Sequence, residues 1–576
     1  MKNIQVLIAN SGISQNLISE KSKSNIIFII INETTREKFM SNEKFRMSEA
    51  LGDKTFQSNV KKLRTEFTNQ LDEISEKYGI RWEATRTAES NVMVNDFFRN
   101  IAMCQTIEDL VVDHLPNILV TDVEELIYLY SEKLFVKKLI LAASLNLRSI
   151  YKIAKNITKF TISFCVSKIL SYTLPSPRTD VIIHTFPNLN FKSNSRYQET
   201  YFPGLKEFYA GKNKTVSFLL SNTPMNSRKL FNFMNSQSFL VFNEYKYYSF
   251  IDFFKTVSTY FKLYYVRYDK FIINSYDRMD CLRISHKKYG LDFDVLLTLM
   301  KYQLFIKIQK SRYKPELLLL EFEGMIIEKM LIAGLRESKL ETKVFGFQHM
   351  AIFDNMLCNF YTPHQIESNL LPDKIICSGE IYKNLYEKNG IPLNKLCVGP
   401  ALRYRHIHEI VTHAGSNNKA ILVLLPFNTQ DCIFIINMFK QQLLPKINKV
   451  VLKPHPKSDI NVISKMAKDV DCEIVIDSIN SLLAEFSVVA SMNSGSLLDA
   501  ALLGKFVIKL NRPFFIDLDP LFRNRELRLE VNSKAELKEV IDRIPDELEN
   551  KKIYLDRIKK EYFNPFTENL LETFSL

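Results

Sequence analysis

The stretch Lys449–Pro456 reads KVVLKPHP, an apolar run of strand length that ends in two prolines flanking a histidine. Proline fixes its own φ and disfavours helix in the residue before it, so the chain stays extended beyond the strand. Runs of similar length recur on both sides with helix-forming sequence between most of them, and the strands predicted for the last section are Asp373–Ser378, Leu396–Gly399, Ala420–Pro426, Lys449–Lys453, Glu473–Ile476, Val488–Ser491 and Phe506–Leu510. Such alternation indicates a doubly wound parallel sheet.

The middle section has the same rhythm and predicts a second Rossmann-like domain, with strands at Asp180–Phe186, Thr215–Leu220, Leu317–Glu323 and Lys343–His349. The N-terminal section instead has helical periodicity at Ser41–Ile80 and Ile118–Leu174. We therefore expect an α/β protein with a largely helical accessory region at 1–175 and two Rossmann-like domains at 176–368 and 369–576. The second of these would end in helices, and Ser368–Pro372 would link the two.

Composition narrows the class of protein. A chain of 576 residues is too long for one core, and 46% hydrophobic with 24% charged residues predicts globular domains. The formal net charge of +13 suits a phosphate-bearing substrate, an anionic membrane surface or nucleic acid. Nucleic acid is disfavoured, because the basic residues are dispersed among acids without a recognition motif.

The N-terminal sequence and the cysteines predict the cellular compartment of the protein. The N-terminal residues 1–16 resemble neither a signal peptide nor a membrane anchor, so a cytoplasmic protein is expected. A cationic amphipathic piece at Leu147–Lys159 either contacts the inner membrane peripherally or packs as a solvated helix. The eight cysteines are scattered singly, mostly in apolar runs, which is typical of reduced core residues.

Two segments of the last section are candidates for binding phosphate. Lys453, His455 and Pro456 follow a strand, where an ammonium and an imidazole would meet an anion. Asn493, Ser494, Gly495 and Ser496 begin an amphipathic helix, whose N-terminal N–H groups favour negative charge. The alternatives are a surface turn for the first segment and, for the second, an ordinary N-cap formed by Asn493 or Ser494.

Carboxylates end a strand of the middle section. Glu321 and Glu323 follow four leucines, and Glu328 lies on the helix after them. Burial raises the pKa of a carboxyl group, which suits a general base; the alternative is that these acids stabilise the start of a helix. Gln348 and His349 end the next strand, where they line the same cleft or, alternatively, are buried structural groups.

Several motifs of other enzymes are weak or missing. Asp292-Phe293-Asp294 and Asp517-Leu518-Asp519 match a metal-binding DxD form, but short acidic pairs are common by chance. We therefore expect neither a metal nor another cofactor. The sequence contains no GxxxxGK[ST], GxGxxG or GxSxG motif, which disfavours a P-loop NTPase, an NAD-type dinucleotide fold and a serine hydrolase.

Taken in order, EFEG (321–324), GFQH (346–349), KPHP (453–456) and NSGS (493–496) resemble bacterial surface-carbohydrate glycosyltransferases, including sialyltransferases and Kdo transferases. Glu323-Gly324 matches the end of an acidic pair before glycine, His455-Pro456 a His-Pro motif, and Ser494-Gly495-Ser496 a Ser/Thr-rich motif. Phe322 departs from the pattern at the first acid of the pair. RYQETYFPGL (196–205) and GPALRYR (399–405) resemble members of the nonulosonate type, and the resemblance covers residues 180–510 approximately.

The resemblance implies a GT-B fold, with two Rossmann-like domains facing a cleft, the acceptor in the first and a nucleotide-sugar donor in the second. The base would be Glu321, Glu323 or Glu328, His455 would contact the donor phosphate, the Ser-rich loop would hold it, and Gln348, His349 and Arg403 would lie in the cleft. The implied reaction is metal-independent inverting transfer of a nonulosonic acid or Kdo from a CMP-activated donor to lipopolysaccharide, capsule or a similar glycan. Alternatives are a polyol-phosphate (CDP-glycerol type) transferase or sugar-nucleotide epimerase on the same scaffold, and a non-catalytic protein that binds a membrane surface.

Overall fold

Three parallel β-sheets organise the chain in a computed structural model, which describes residues 4–9, 24–113, 115–130, 135–173, 178–186, 199–221, 240–311, 314–409, 417–440, 449–547 and 555–576. The smallest sheet belongs to the N-terminal region and has the order β1-β3-β2, from strands β1 (Ile4–Ile8), β2 (Asn25–Ile29) and β3 (Asn117–Thr121). The helices of this region are α1 (Glu33–Glu37), α2 (Glu43–Tyr78), α3 (Ile80–Glu83), α4 (Arg86–Glu89), α5 (Phe97–Leu110), α6 (Glu124–Tyr130) and α7 (Phe135–Ser171).

The expectation that helices begin at Ile118 is wrong for the first residues of that segment. Strand β3 is the central strand of its sheet, buried at every position and paired on both sides. An apolar run this short has no periodicity that separates a buried strand from a buried helix. The long helix expected over Ser41–Ile80 is present as α2, which begins at an Asn42 N-cap and ends before Gly79, where φ is +64°.

The middle sheet has seven strands in the order β12-β11-β10-β9-β4-β5-β6, paired in parallel throughout. They are β4 (Val181–Thr185), β5 (Val216–Leu220), β6 (Leu240–Val241), β9 (Leu317–Glu321), β10 (Lys343–Gln348), β11 (Lys374–Cys377) and β12 (Leu396–Val398), with a separate hairpin of β7 (Ile272–Ile273) and β8 (Tyr276–Asp277). The accompanying helices are α8 (Leu205–Gly211), α9 (Phe250–Tyr264), α10 (Met279–Ser285), α11 (Phe293–Ile308), α12 (Ile326–Ser338), α13 (Pro363–Glu367), α14 (Glu380–Lys388) and α15 (His406–Glu409).

The third sheet has six parallel strands in the order β15-β14-β13-β16-β17-β18. They are β13 (Asn417–Leu424), β14 (Lys449–Lys453), β15 (Cys472–Ile474), β16 (Phe486–Ser491), β17 (Phe506–Leu510) and β18 (Arg528–Val531). The helices are α16 (Thr429–Phe439), α17 (Ile460–Met466), α18 (Ile479–Glu485), α19 (Gly495–Leu502), α20 (Lys534–Glu547), α21 (Leu555–Tyr562) and α22 (Glu568–Leu571).

The assignment of two strands is corrected by their pairing. Strands β11 and β12, predicted for the last domain, extend the middle sheet through the parallel pair of β11 with β10. Segment 368–372 is therefore a connection within that sheet. The chain reaches the third sheet only after Val398, and its C-terminus returns to the middle sheet, where Asn564 N donates to Ser378 O and the rings of Phe574 and Phe347 lie 5.4 Å apart. The domain bounds themselves stay predictions.

The predicted α/β class, with two large parallel sheets and a mainly helical N-terminal region, is confirmed, and the small N-terminal sheet is an addition to it. The N-terminal region is bound to the third sheet by Arg512, which donates to Glu33, to Asp431 and to the carbonyl of Ile31.

In the described parts of the chain, no helix combines the length and the apolar character that crossing a membrane requires.

Candidate functional site

A carboxylate and an imidazole meet at the carboxyl edge of the middle sheet. Glu323 follows β9, His349 follows β10, and Glu323 Oε1 lies 2.7 Å from His349 Nε2. On the other side of the ring, Arg403 Nη1 lies 3.4 Å from His349 Nδ1. A guanidinium can only donate, so Nδ1 accepts and the proton of a neutral imidazole resides on Nε2, facing Glu323. The imidazole therefore lies between the carboxylate of Glu323 and the guanidinium of Arg403 at the strand ends.

Glu321 lies deeper and has a different partner. Its Oε2 is 2.8 Å from Nδ1 of His184, which lies on β4, and its Oε1 accepts from Phe186 N at 3.0 Å. Neither Glu321 nor His184 is exposed. Burial raises the pKa of Glu321 well above its usual range, and burial, helped by the charge of Lys301, lowers the pKa of His184 to about 3. The pair is closed off from any acceptor hydroxyl.

Glu328 supports the turn that carries Glu323. Its carboxylate accepts from Glu323 N at 3.1 Å and from Gly324 N at 2.9 Å, and burial raises its pKa well above the usual range. Gly324 has φ +75°, and a Cβ built there would lie 1.8 Å from the carbonyl oxygen of Cys358. The turn therefore requires glycine. Of the three candidate acids, Glu323 is the most exposed, at 6%, against 1% for Glu328 and 0% for Glu321.

Gln348 lies behind the cleft instead of lining it. Its side chain is fully buried; Oε1 accepts from Ser378 N and Oγ at 2.9 Å, and Nε2 donates to Met350 O. These bonds connect the ends of β10 and β11. The predicted place of Gln348 in the cleft is therefore corrected, since all its hydrogen-bonding groups are used internally.

Arg403 and Tyr201 extend the cluster around His349 toward solvent. The Tyr201 and His349 rings lie 4.6 Å apart, and the Arg403 guanidinium lies 5.3 Å from the centre of the Tyr201 ring. Both residues come from the segments 196–205 and 399–405, although residues 196–198 lie outside the described residues. Arg403 is exposed, so a cation is available to an anionic ligand beside the imidazole.

At the carboxyl edge of the third sheet, Lys453 ends β14, and His455 follows between Pro454 and the exposed Pro456. His455 is half-buried, and its Nδ1 accepts from Lys457 N at 3.2 Å. Burial, followed by the charges of Lys457 and Lys453, lowers the pKa of His455. At neutral pH the imidazole is uncharged, and its proton resides on Nε2, the nitrogen available to a ligand.

The serine-rich segment follows β16 at the same edge. Ser494 is the N-cap of α19 and its Oγ accepts from Ser496 N at 3.3 Å, while Gly495 is the first helical residue. Asn493 is tied to the loop after β17, accepting from Leu518 N at 3.3 Å. Strands β14 and β16 flank β13, so the two segments lie two strand spacings apart, about 10 Å.

Asp499 is a candidate site residue that sequence analysis missed. It lies one turn into α19, is 7% exposed, and its Oδ1 is buried without a hydrogen-bond partner among the described residues. Burial raises its pKa to about 7, opposed by the positive charge of Arg403. The signal was an acid inside the apolar run LLDAALLG. The serine-rich helix of the third sheet is therefore within electrostatic reach of Arg403, which contacts His349 of the middle sheet.

The acidic DxD pairs are used in ion pairs. Asp292 lies 2.6 Å from Lys152 Nζ, Asp517 lies 2.7 Å from Lys509 Nζ, and Asp519 Oδ2 lies 2.7 Å from Arg528 Nε. In the described part of the chain, no three or more His, Cys, Asp or Glu side chains are grouped so that they could hold a metal. The residues at the edge of the middle sheet can accept a proton, and those at the edge of the third sheet can bind an anion.

Comparisons with known proteins give fold-level similarities. No protein-family model and no curated protein matches the sequence. Among solved structures, a glycosyltransferase from Rickettsia africae has 12% identity and a TM-score of 0.38, covering 69% of this chain and 96% of that chain. UDP-GlcNAc 2-epimerase from Neisseria meningitidis, bound to UDP-GlcNAc, has 11% identity and a TM-score of 0.37, covering 68% and 98%. The wall teichoic acid polymerase TagF has 9% identity and a TM-score of 0.35, covering 74% and 95%. Identities and TM-scores this low assign neither a family nor an activity to this chain.

Proposed function

We propose that the protein is a metal-independent, inverting glycosyltransferase that moves a nonulosonic acid or Kdo from a CMP-activated donor to a bacterial surface glycan such as lipopolysaccharide or capsule. The order of the EFEG, GFQH, KPHP and NSGS motifs supports the sugar class and the nucleotide. One observation carries the proposal: Glu323, His349 and Arg403 are in contact at the edge of the middle sheet, and the charge of Arg403 acts on Asp499 of the serine-rich helix. It connects a candidate base on one sheet to a candidate phosphate site on the other.

In the proposed reaction Glu323 takes the proton of an acceptor hydroxyl. The hydroxyl oxygen forms a bond to the anomeric carbon, while the bond from that carbon to the donor phosphate oxygen breaks and its electron pair goes to the phosphate. Attack opposite the leaving group inverts the configuration. His349 Nε2 lies 2.7 Å from Glu323 Oε1, so the ring can hold the carboxylate in position toward the acceptor.

The departing nucleotide requires stabilisation of its negative charge. Lys453, the Nε2–H of His455 and the positive end of the α19 helix dipole can supply it from the edge of the third sheet. When Asp499 is ionised, its free Oδ1 can accept a hydrogen bond from a hydroxyl group of the donor sugar. In this division of roles, acid–base chemistry belongs to the middle sheet and anion binding to the third.

The test is nucleotide binding by the wild type and by His455→Ala, measured by calorimetry and thermal shift with CMP, CDP, UDP and GDP. We expect CMP to raise the melting temperature of the wild type most, and His455→Ala to bind it at least about tenfold more weakly, the loss of one charge-assisted hydrogen bond. Transfer from a CMP-sugar should disappear in the variant, while its melting temperature without ligand stays unchanged.

The matched control is His364→Ala, which removes an imidazole whose Nε2 meets Ser368 Oγ at 3.2 Å on α13, away from both sheet edges. It should bind CMP like the wild type. A preference for CDP would indicate a polyol-phosphate donor, and one for UDP would indicate epimerase-type chemistry; either result refutes the CMP-sugar donor. Equal CMP affinity in His455→Ala and the wild type would refute the phosphate site.

A further inference from the structure

Helices α7 and α9 form an antiparallel pair on the surface of the middle domain. The rings of Phe160 and Phe253 stack at 5.4 Å, and Asn156 Nδ2 donates to Tyr260 Oη at 3.0 Å. Both helices also pack on α11, burying their inner residues in one hydrophobic cluster with it. Because the two helices lie side by side on the same support, their remaining surfaces point away from the domain together. We call these surfaces the outer face.

The outer face exposes large apolar side chains in helical register. Six of them are between 43% and 70% exposed: Leu147, Tyr151, Ile162 and Ile169 on α7, and Phe254 and Phe261 on α9. From Leu147 to Ile169 the stripe runs for ~33 Å. A row of large exposed apolar side chains of this length is typical of an interaction surface.

The exposed charged side chains of the outer face are all basic. The sequence of α7 contains Arg and Lys but neither Asp nor Glu, and Asp252, the only acid of α9, is buried and lies 2.7 Å from Lys307 Nζ. Toward the N-terminal end of α7, Arg148 and Lys152 are paired with Glu124 and Asp292. Three exposed cations, Lys155, Lys255 and Lys262, have no ion-pair partner among the described residues.

A groove adjoins the outer face along α9. It has a volume of about 640 Å³ and lies between α9, α11 and α12. Leu299 and Met330 supply apolar lining, and Phe254, Lys255 and Lys262 line the groove from α9. Apolar lining beside cations matches the two parts of an anionic lipid, the acyl chain and the headgroup.

These features favour a lipid surface over a second copy of the chain. In a two-fold dimer the same patch meets itself, which would bring the lysines of both copies together without opposing acids. An anionic bilayer offers both an apolar interior for the side chains and negative charge for the lysines. The cations of α7 are consistent with a helix that lies in the interface plane instead of crossing it.

We propose that the outer face of α7 and α9 binds the surface of an anionic lipid bilayer. This docking goes beyond the proposed transferase and does not depend on it. The apolar side chains enter the boundary between headgroups and acyl chains, and Lys155, Lys255 and Lys262 contact anionic headgroups.

The experiment is co-sedimentation of the full chain with vesicles of phosphatidylcholine alone and with about one third phosphatidylglycerol, across a salt series. We expect binding to the anionic vesicles that weakens as salt rises, and little binding to the neutral ones. The quadruple variant Phe254→Ser, Ile162→Ser, Lys155→Glu and Lys262→Glu should bind at least about tenfold more weakly, since each lysine near the surface contributes severalfold. All four side chains are exposed, so circular dichroism and melting temperature should match the wild type.

The matched control exchanges similar groups elsewhere: Met47→Ser with Lys44→Glu on α2, where Met47 is 68% exposed and Lys44 is exposed. It should retain vesicle binding. The proposal is overturned if the wild type does not sediment with anionic vesicles, if it binds both compositions equally, or if the control loses binding as much as the quadruple variant. Self-association in sedimentation velocity that is abolished by the quadruple variant, without vesicle binding, would assign the face to a second copy and would also overturn it.

Discussion

The carboxyl edges of the two large sheets differ in how their polar residues are used. At the middle sheet, Glu321, Glu323 and His349 are at most 6% exposed, and each meets another protein side chain. At the third sheet, Lys453 and His455 are partly exposed, and His455 has one ring nitrogen available. At the first edge the acids lie against other protein groups, whereas the second edge offers hydrogen-bond donors to a ligand.

This difference follows from what each edge contains. Carboxylates can be buried only with partners, since an unpaired buried charge is costly, so an edge rich in acids closes around histidines and backbone N–H groups. At such an edge, the hydrogen-bond partners determine which side chain carries each proton. An edge that offers cations and helix N–H groups must stay open, because its partner is an anion that arrives from solution. The predictions below test this contrast.

The largest effect is expected from Gly324→Ala at the closed edge. A Cβ at Gly324 would lie 1.8 Å from Cys358 O, so the variant should lose more than about 4 kcal/mol of unfolding free energy or fail to fold. Gly495→Ala at the open edge has nothing within 4 Å of its Cβ and should change stability by less than ~1 kcal/mol. Denaturant titrations measure both.

Gly204→Ala separates the clash from backbone strain. Gly204 has φ +83° and no atom within 4 Å of a built Cβ, so this variant should lose only ~1–2 kcal/mol through the left-handed conformation. Similar losses at positions 324 and 204 would show that the turn before α12 can move, and the description of that edge as closed would then fail.

The next largest effect is expected from Glu323→Gln, which should change the rate of the reaction without changing nucleotide binding. Glu323→Gln keeps the side-chain shape but removes the proposed base, so kcat should fall roughly 10²–10⁴-fold while the nucleotide Kd stays within about twofold. Glu387→Gln, at an exposed position on α14, is the control and should leave both constants unchanged. If Glu323→Gln weakened nucleotide binding and left kcat intact, the two edges would not divide the roles as proposed.

The strands were the most predictable part of the fold. The predicted bounds Lys449–Lys453 and Phe506–Leu510 coincide with β14 and β17, because each apolar run ends abruptly at proline or polar residues. The membership of β11 and β12 was not predictable, since their pairing with β10 depends on contacts far along the chain. Likewise, β3 needed two neighbouring strands to distinguish it from helix.

The candidate site was predictable where position along a strand decides it. Glu323 and His349 end adjacent strands, so the parallel pairing of β9 with β10 brings them together. Asp499 was missed, because an acid in an apolar helical run indicates burial but not which charge acts on it, and the influence of Arg403 comes from a residue far along the chain. Gln348 was misplaced for a related reason: a side chain at a strand end turns inward when the next strand offers it partners, as Ser378 does.

A third prediction concerns the buried acid of the open edge. The pKa of Asp499 is about 7 against 3.8 in the unfolded chain, so between these values the folded state holds a proton that the unfolded state has lost. The free energy of unfolding therefore falls as pH rises from about 4 to 7 and stays reduced above 7. Asp499→Asn should match the wild type near pH 4 and be about 2–4 kcal/mol more stable at pH 8.

Asp519→Asn is the control with the opposite sign. Asp519 is also buried but lies 2.7 Å from Arg528 Nε, so its removal leaves an under-compensated guanidinium and should lower stability at pH 8. Denaturant melts at pH 4 and pH 8 measure all three proteins. A destabilised Asp499→Asn at pH 8 would show that the carboxylate is satisfied within the protein and is not kept for a ligand. If Asp499→Asn is stabilised as expected and also binds nucleotide more weakly, the acid is retained for binding.

The smallest effect decides between two roles of Ser494. As the N-cap of α19 its hydroxyl accepts from Ser496 N, so Ser494→Ala should cost ~1 kcal/mol whatever the helix binds. Ser478→Ala removes an equivalent cap from α18, where Ser478 accepts from Ser481 N at 3.2 Å, and should cost a similar amount. If α19 also holds the donor phosphate, Ser494→Ala weakens nucleotide binding severalfold and Ser478→Ala does not, because only the first changes groups at the open edge. If both variants lose the same stability and keep the nucleotide affinity of the wild type, the serine-rich segment serves only as a helix cap. Lys453 and His455 would then remain as the anion site of that edge.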